Sequence, residues 1–376
     1  MNAGIDFLRG VAILLVILDH ISIRLPLSET SLASIFPSGI LRFLTHQGHH
    51  SVFIFFVISG FLITSGIIRR WGSLRSIHLP FFYTHRFARI APCLLVLLCV
   101  LSALDALNVQ GFELDKTHHS LRGALCAALG MYVNWYECLT GYLPANWDVL
   151  WSLSIEEMFY FVFPVLCLRV PRSDTQKVML FGCVAVSLPL LMFMMSGAPP
   201  IWRHKAYLPG AAALSTGVAA ALLARYDRIT PFWISALGWS GAVVLPLTCV
   251  LSFFMVSHVA DTLLVGLTLS VAALLLAFSK GWGSVFQHSM FAWIRSCGLM
   301  SYEIYLTHMF VVIFLVQAYQ AIGFSAQASW LCFPIALGGA WLLGYGTDRL
   351  LSYPAERRMR EIFLRFFPSL EMNFRE

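Results

Sequence analysis

Charge is scarce in this sequence. Only 12% of its 376 residues are Asp, Glu, Lys or Arg, 59% are hydrophobic, and the mean hydropathy is +0.76. No polar stretch is long enough to form a separate soluble domain, so the chain reads as an integral membrane protein. The nine cysteines form no CxxC pair and no Cys/His spacing typical of zinc, so neither a disulfide framework nor a metal site is expected. The first apolar run lacks a basic leader and a small-residue cleavage site, which makes it a retained helix rather than a signal peptide. No internal repeat is visible. The net charge of +6 is scattered in short runs between apolar segments, which argues against a nucleic-acid partner.

What is present is a series of apolar stretches long enough to cross a bilayer. They lie near residues 6–25, 50–68, 90–107, 149–168, 178–196, 208–225, 232–255, 260–279, 298–320 and 328–350. The expected fold is therefore an all-α bundle of about ten transmembrane helices forming one domain over residues 1–376. The stretch 121–136 is short and ends in Asn134, Trp135 and Tyr136, which suits an interfacial or partly inserted segment. With ten crossings, 19 of the 25 Lys and Arg fall on one side, the side that holds both termini. That side should be cytoplasmic, with residues 355–376 as a basic tail.

Ionisable groups inside such spans are costly and call for a reason. Arg9 and His20 lie eleven positions apart in the first helix, so their side chains point nearly the same way at different depths. Asp19 points elsewhere, toward another helix. In WSLSIEEMFYFVFP, Ser152, Glu156 and Tyr160 share one helical face. Glu156 is expected at the depth of His20, where a carboxylate could orient an imidazole base. A structural ion pair is the competing reading. In SYEIYLTH, Ser301, Tyr305 and His308 form a polar stripe that suits either interhelical hydrogen bonding or a cavity wall.

In HRFARIAP, Arg86 and Arg89 stand one turn apart at the start of the third span. They are shaped for phosphate oxygens, and equally for lipid headgroups. In FFVISGFLIT, Ser59 and Gly60 are small enough for close approach of a backbone or a narrow ligand.

Taken together these motifs resemble the acyltransferase 3 family of multispanning membrane proteins. The resemblance runs from Arg9 and His20 through FFxxSGFLIT, RxxRIxP and WSLSxEExFYxxFP to SYxxYLxH, nearly the whole chain. One departure is LSYPAERRMR, where Glu356 and Arg357 match a common Glu-Arg-Pro ending but Arg358 replaces the proline. No SGNH esterase-like domain, which some relatives carry outside the membrane, is expected here.

The resemblance implies an acyl-coenzyme A-dependent O-acyltransferase. It would move an acyl group, acetyl in the usual case, to a hydroxyl of a cell-surface or lipid-linked saccharide. It implies His20, Glu156 and Arg9 as the catalytic group and Arg86, Arg89, Ser59 and Gly60 as the donor site. Trp151, Ser152, Tyr160, Ser301, Tyr305 and His308 would line the substrate pocket. The donor would be a passing co-substrate, no cofactor being held permanently. Its place would be a bacterial cytoplasmic (inner) membrane, with proteins of glycan assembly as further partners. The competing function is a proton-coupled transporter or flippase of a glycan or lipid precursor.

Overall fold

The computed structural model describes residues 2–169, 173–226, 229–255 and 257–366. No strand occurs among them. Nine helical stretches among the described residues are long and apolar enough to cross a membrane. The first helix, Ala3–Ser22 (α1), has 20 residues and the necessary length, but it carries Asp6, Arg9 and Asp19. It is embedded in the bundle, with Ala12, Ile13 and Ile21 fully buried, and completes a set of ten.

The remaining long helices are Gly48–Trp71 (α2), Leu79–Ala106 (α3), Leu150–Arg169 (α4), Asp174–Val186 continued by Leu188–Met194 (α5) and Tyr207–Leu223 (α6). They are followed by Pro231–Phe254 (α7), Ser257–Ser279 (α8), Ser301–Ile322 (α9) and Cys332–Thr347 (α10). Each coincides with one expected span. The largest difference is α3, which begins at Leu79 rather than near residue 90. His78 caps it and Pro80 sits in its first turn, so Arg86 and Arg89 lie well inside a helix. Beyond α10 a π-helical turn, Asp348–Ser352, leads into a helix, Tyr353–Phe366. The rest of the expected tail, 367–376, lies outside the described residues.

The stretch 121–136 does not form a span. It breaks into Leu121–Leu129 and Val133–Thr140, parted at Met131, whose φ of 59° no helix accommodates.

Two close crossings fix the helices that carry the polar groups. Gly60 of α2 and Gly217 of α6 face one another's backbones, so a Cβ on either would collide with the carbonyl of Leu214 or Val57. Gly10 of α1 and Gly298 of the short helix Ala292–Leu299 make the same reciprocal fit, against Ile294 and Asp6. Close backbone approach through small residues is a main source of helix association in lipid. Asp19 also has a partner: its carboxylate lies against Gly48, the first residue of α2, where a Cβ would meet Oδ2. An anion there meets the positive end of the α2 dipole.

Candidate active site

A cavity of about 460 Å³ runs through the bundle along α2, walled from Val52 to Trp71. That is roughly 28 Å of helix, close to the hydrocarbon thickness of a bilayer. One end is basic and aromatic, with Arg69, Arg70, Trp71, Phe81, His85 and Arg86 in its wall. Arg70 lies 4.7 Å over the ring of Phe81. Of these, only Arg86 was expected from the sequence. The others are missed because the end of α2 and the start of α3 read as ordinary topogenic flanks.

Farther in, the cavity is lined by Arg9, Ser59, Arg89, Glu156, Glu157 and Tyr160. Arg9 donates from Nη2 to Ser301 Oγ at 2.8 Å, which ties α1 to α9. Ser59 reaches the hydroxyl of Tyr160 and the carboxylate of Glu156. The Arg86 guanidinium lies 3.8 Å over the Tyr160 ring. Two atoms here are buried with no hydrogen-bond partner, Arg86 Nε and Glu157 Oε1. Orphaned polar atoms beside a cavity are available to a polar ligand, since leaving them unpaired costs about 1–3 kcal/mol each. At the far end stand Ser152, Tyr305 and Leu306, with Ser152 Oγ and the Tyr305 hydroxyl 2.7 Å apart.

Thus Ser152, Glu156 and Tyr160 do share the cavity wall, as their spacing predicts, and Ser301 and Tyr305 face them from α9. Gly60 does not join Ser59 there, because its open face is filled by α6. Trp151 packs edge-on against Phe56, with ring centroids 6.2 Å apart, and lies under Lys205.

His20 stands at a second level. Its ring centroid is 5.1 Å from that of His308, which in turn lies 6.0 Å from the Tyr305 ring on the cavity wall. Arg9 and His20 therefore point the same way, as expected, and the helix they both face is α9. The expected companionship of His20 and Glu156 is replaced by a different one. Glu156 belongs to the Arg9 level, with Ser59, Arg86 and Arg9 around it, whereas the charged groups that act on His20 are Asp19, Asp148, Arg24 and Lys205. The reason is geometric. Eight residues separate Asp148 from Glu156, about 12 Å of helix, and eleven separate Arg9 from His20, about 16 Å. Asp148, the last residue of the short helix Ala145–Asp148 that precedes α4, is thus the acidic residue that matches His20 in depth.

Asp148 belongs to a cluster that sequence reasoning missed. Lys205 Nζ bonds Glu137 Oε2 at 2.7 Å and Asp148 Oδ1 at 2.5 Å. The other oxygen of Glu137 accepts from Leu143 N, and Asn134 bonds the carbonyl of Lys205. Glu137 is fully buried and Lys205 nearly so. These residues come from short helices and the turns between them, where no periodic pattern marks them.

A family model described as "Acyltransferase domain" matches residues 2–347. The chain belongs to the acyltransferase 3 family. A Staphylococcus aureus (strain COL) protein provisionally named an O-acetyltransferase is 27% identical over 346 residues, covering 85% of this chain and 52% of that protein. Peptidoglycan O-acetyltransferase OatA of Listeria monocytogenes is 26% identical, over 61% of this chain and 35% of its own length. O-acetyltransferase OatA of S. aureus (strain NCTC 8325 / PS 47) is 28% identical, over 52% of this chain and 30% of its own. The chain spans about half the length of the first of these relatives, and less of the two OatA proteins. No solved structure matches it.

Proposed function

We propose that this acyltransferase is a membrane O-acetyltransferase that takes an acetyl group from acetyl-coenzyme A and transfers it to a saccharide hydroxyl. The observation that carries this reading is the cavity itself, which joins a basic mouth to Tyr305, whose ring lies 6.0 Å from that of His308, the neighbour of His20. The names of the OatA relatives support acetyl as the group and a cell-surface glycan as the acceptor class. By the bias of Lys and Arg, the mouth at Arg69 and Arg70 is cytoplasmic, as are both termini, in a bacterial cytoplasmic membrane. Residues 1–376 act as one membrane domain.

In this reading the donor's phosphates sit at the basic mouth, where Arg86 supplies planar, charge-assisted donors, and Arg89 adds its own farther along the passage. Its pantetheine arm extends along the narrow passage past Ser59, Glu156 and Arg9, bringing the thioester toward Tyr305. The unpaired Arg86 Nε and Glu157 Oε1 give that arm and its phosphates a donor and an acceptor. His20 removes the proton of the acceptor hydroxyl as the hydroxyl oxygen attacks the thioester carbonyl. The C–O bond forms, the C–S bond breaks, and the proton passes from His20 to the departing thiolate. Arg9, held by Ser301, keeps positive charge along the donor's path.

The test is acetyl transfer by purified protein in nanodiscs, with labelled acetyl-coenzyme A and a polysaccharide or glycolipid acceptor. His20→Ala should lower the rate by about 10²–10⁴, the usual span for a general base. Thioester consumption equal in wild type and variant would overturn the mechanism.

A further inference from the structure

His308 is the most completely enclosed of the polar groups near His20, with no exposed surface, and nothing above uses it. Its two nitrogens are in different situations. Nδ1 lies 2.8 Å from the carbonyl oxygen of Tyr305 and 3.2 Å from that of Ile304, one turn back on α9. Carbonyls only accept, so Nδ1 carries the hydrogen and Nε2 of the neutral ring carries a lone pair. That Nε2 is buried and has no hydrogen-bond partner.

The aromatic ring beside it is His20, 5.1 Å away between centroids and tilted by 41°. As placed, the two rings share no hydrogen bond, but a turn of the His20 ring about its Cβ–Cγ bond brings a nitrogen toward His308 Nε2, and the centroid separation allows an approach to about 2.8 Å. The other groups facing this pair are Tyr305, Arg24, Asp148, Lys205 and Asp19. Among these Lys205 is engaged by Glu137 and Asp148, and Arg24 donates to the carbonyl of His20.

We infer that His308 is the positioning residue of the transfer reaction: once the His20 ring turns toward it, its unfilled Nε2 accepts the N–H of His20 and so fixes which nitrogen of His20 is free to act as base. This rests on the role proposed for His20. As the acceptor hydroxyl gives up its proton, His20 becomes doubly protonated, and the N–H that is not shared with the acceptor is the one held by His308 Nε2. His308 stays neutral throughout, and the proton leaves His20 on the thiolate. A fixed tautomer and orientation is what a partner of a catalytic imidazole supplies.

The experiment compares three variants in nanodiscs by acetyl transfer. His308→Leu should lower kcat about 100-fold while KM for acetyl-coenzyme A stays within about threefold, because loss of an interaction made at the transition state acts on kcat. Gln places an amide at the position of Nε2, and Asn places one at Nδ1. His308→Gln should therefore recover at least tenfold over His308→Leu, and His308→Asn should not. If Asn recovers and Gln does not, or both recover alike, His308 only anchors α9 and the inference is overturned. Retention of kcat within threefold in His308→Leu overturns it as well.

A second measurement needs no turnover, which separates this inference from the proposed reaction. Nitrogen-15 spectra of histidine-labelled protein should show one neutral tautomer for His20 in wild type and in His308→Gln. They should show a mixture in His308→Asn and His308→Leu. A His20 tautomer that no His308 substitution disturbs rejects the inference even if acetyl transfer is never observed.

Discussion

The two polar levels of this bundle are built differently. Around Arg9 the charged and hydroxyl groups face an open cavity, and Arg86 Nε and Glu157 Oε1 have no protein partner. Around His20 the charged groups are packed against one another, with Lys205 closed between two carboxylates, and the unfilled atoms, His308 Nε2 and Asn134 Oδ1, belong to neutral side chains. The first arrangement suits a passing ligand, whose polar atoms complete the unfilled bonds. The second suits a fixed geometry, because a buried ion cluster loses much when one member is removed. A polar residue in a span therefore has to be judged by whether its partners are supplied by the protein or left to a ligand.

Removing a charge from the closed level should have the largest effect on stability. Lys205→Ala leaves Glu137 buried without its cation, and a loss of about 3–5 kcal/mol is expected. The readout is a lowered thermal midpoint in detergent, and Lys205→Met combined with Glu137→Leu should recover part of it. An unchanged midpoint in Lys205→Ala would mean that this level is as open as the other.

At the cavity level the effect should fall on binding. Arg86→Gln should raise KM for acetyl-coenzyme A by roughly 10- to 100-fold, the value of about 1.5–3 kcal/mol for hydrogen bonds to charged groups. Its melting temperature should barely move. If KM stays fixed while the fold weakens, Arg86 is part of the scaffold. The smallest effect is expected between the levels, where Ser152 and Tyr305 share one hydrogen bond. Ser152→Ala should cost about 0.5–1.5 kcal/mol, measured in stability and in kcat together.

All ten spans were legible in the sequence, because bilayer thickness imposes a length that hydropathy records directly. The shared faces of Ser152, Glu156 and Tyr160, and of Arg9 and His20, followed from helical periodicity for the same reason. What periodicity does not carry is relative depth between helices. Glu156 was matched to His20 although it stands beside Arg9, and Asp148, three positions before the first residue of WSLSIEE, escaped notice. Lys205 and Glu137 were invisible because they lie in short segments whose partners are set by tertiary packing. Arg86 and Arg89 were placed at the mouth of a span, whereas α3 extends beyond them, since a capped helix continues wherever its backbone is satisfied.

The contact between Asp19 and Gly48 has a consequence beyond the start of α2. Asp19 is the neighbour of His20 in sequence, and Gly10 is the neighbour of Arg9. Near its middle α1 is keyed by the tight fit of Gly10 against Ile294, and near its far end by the carboxylate of Asp19 against Gly48. A rod held at two points along its length cannot roll about its axis. The azimuths of Arg9 and His20 are thereby locked to each other, and any motion that opens the passage has to come from the helices around α1 rather than from α1 itself.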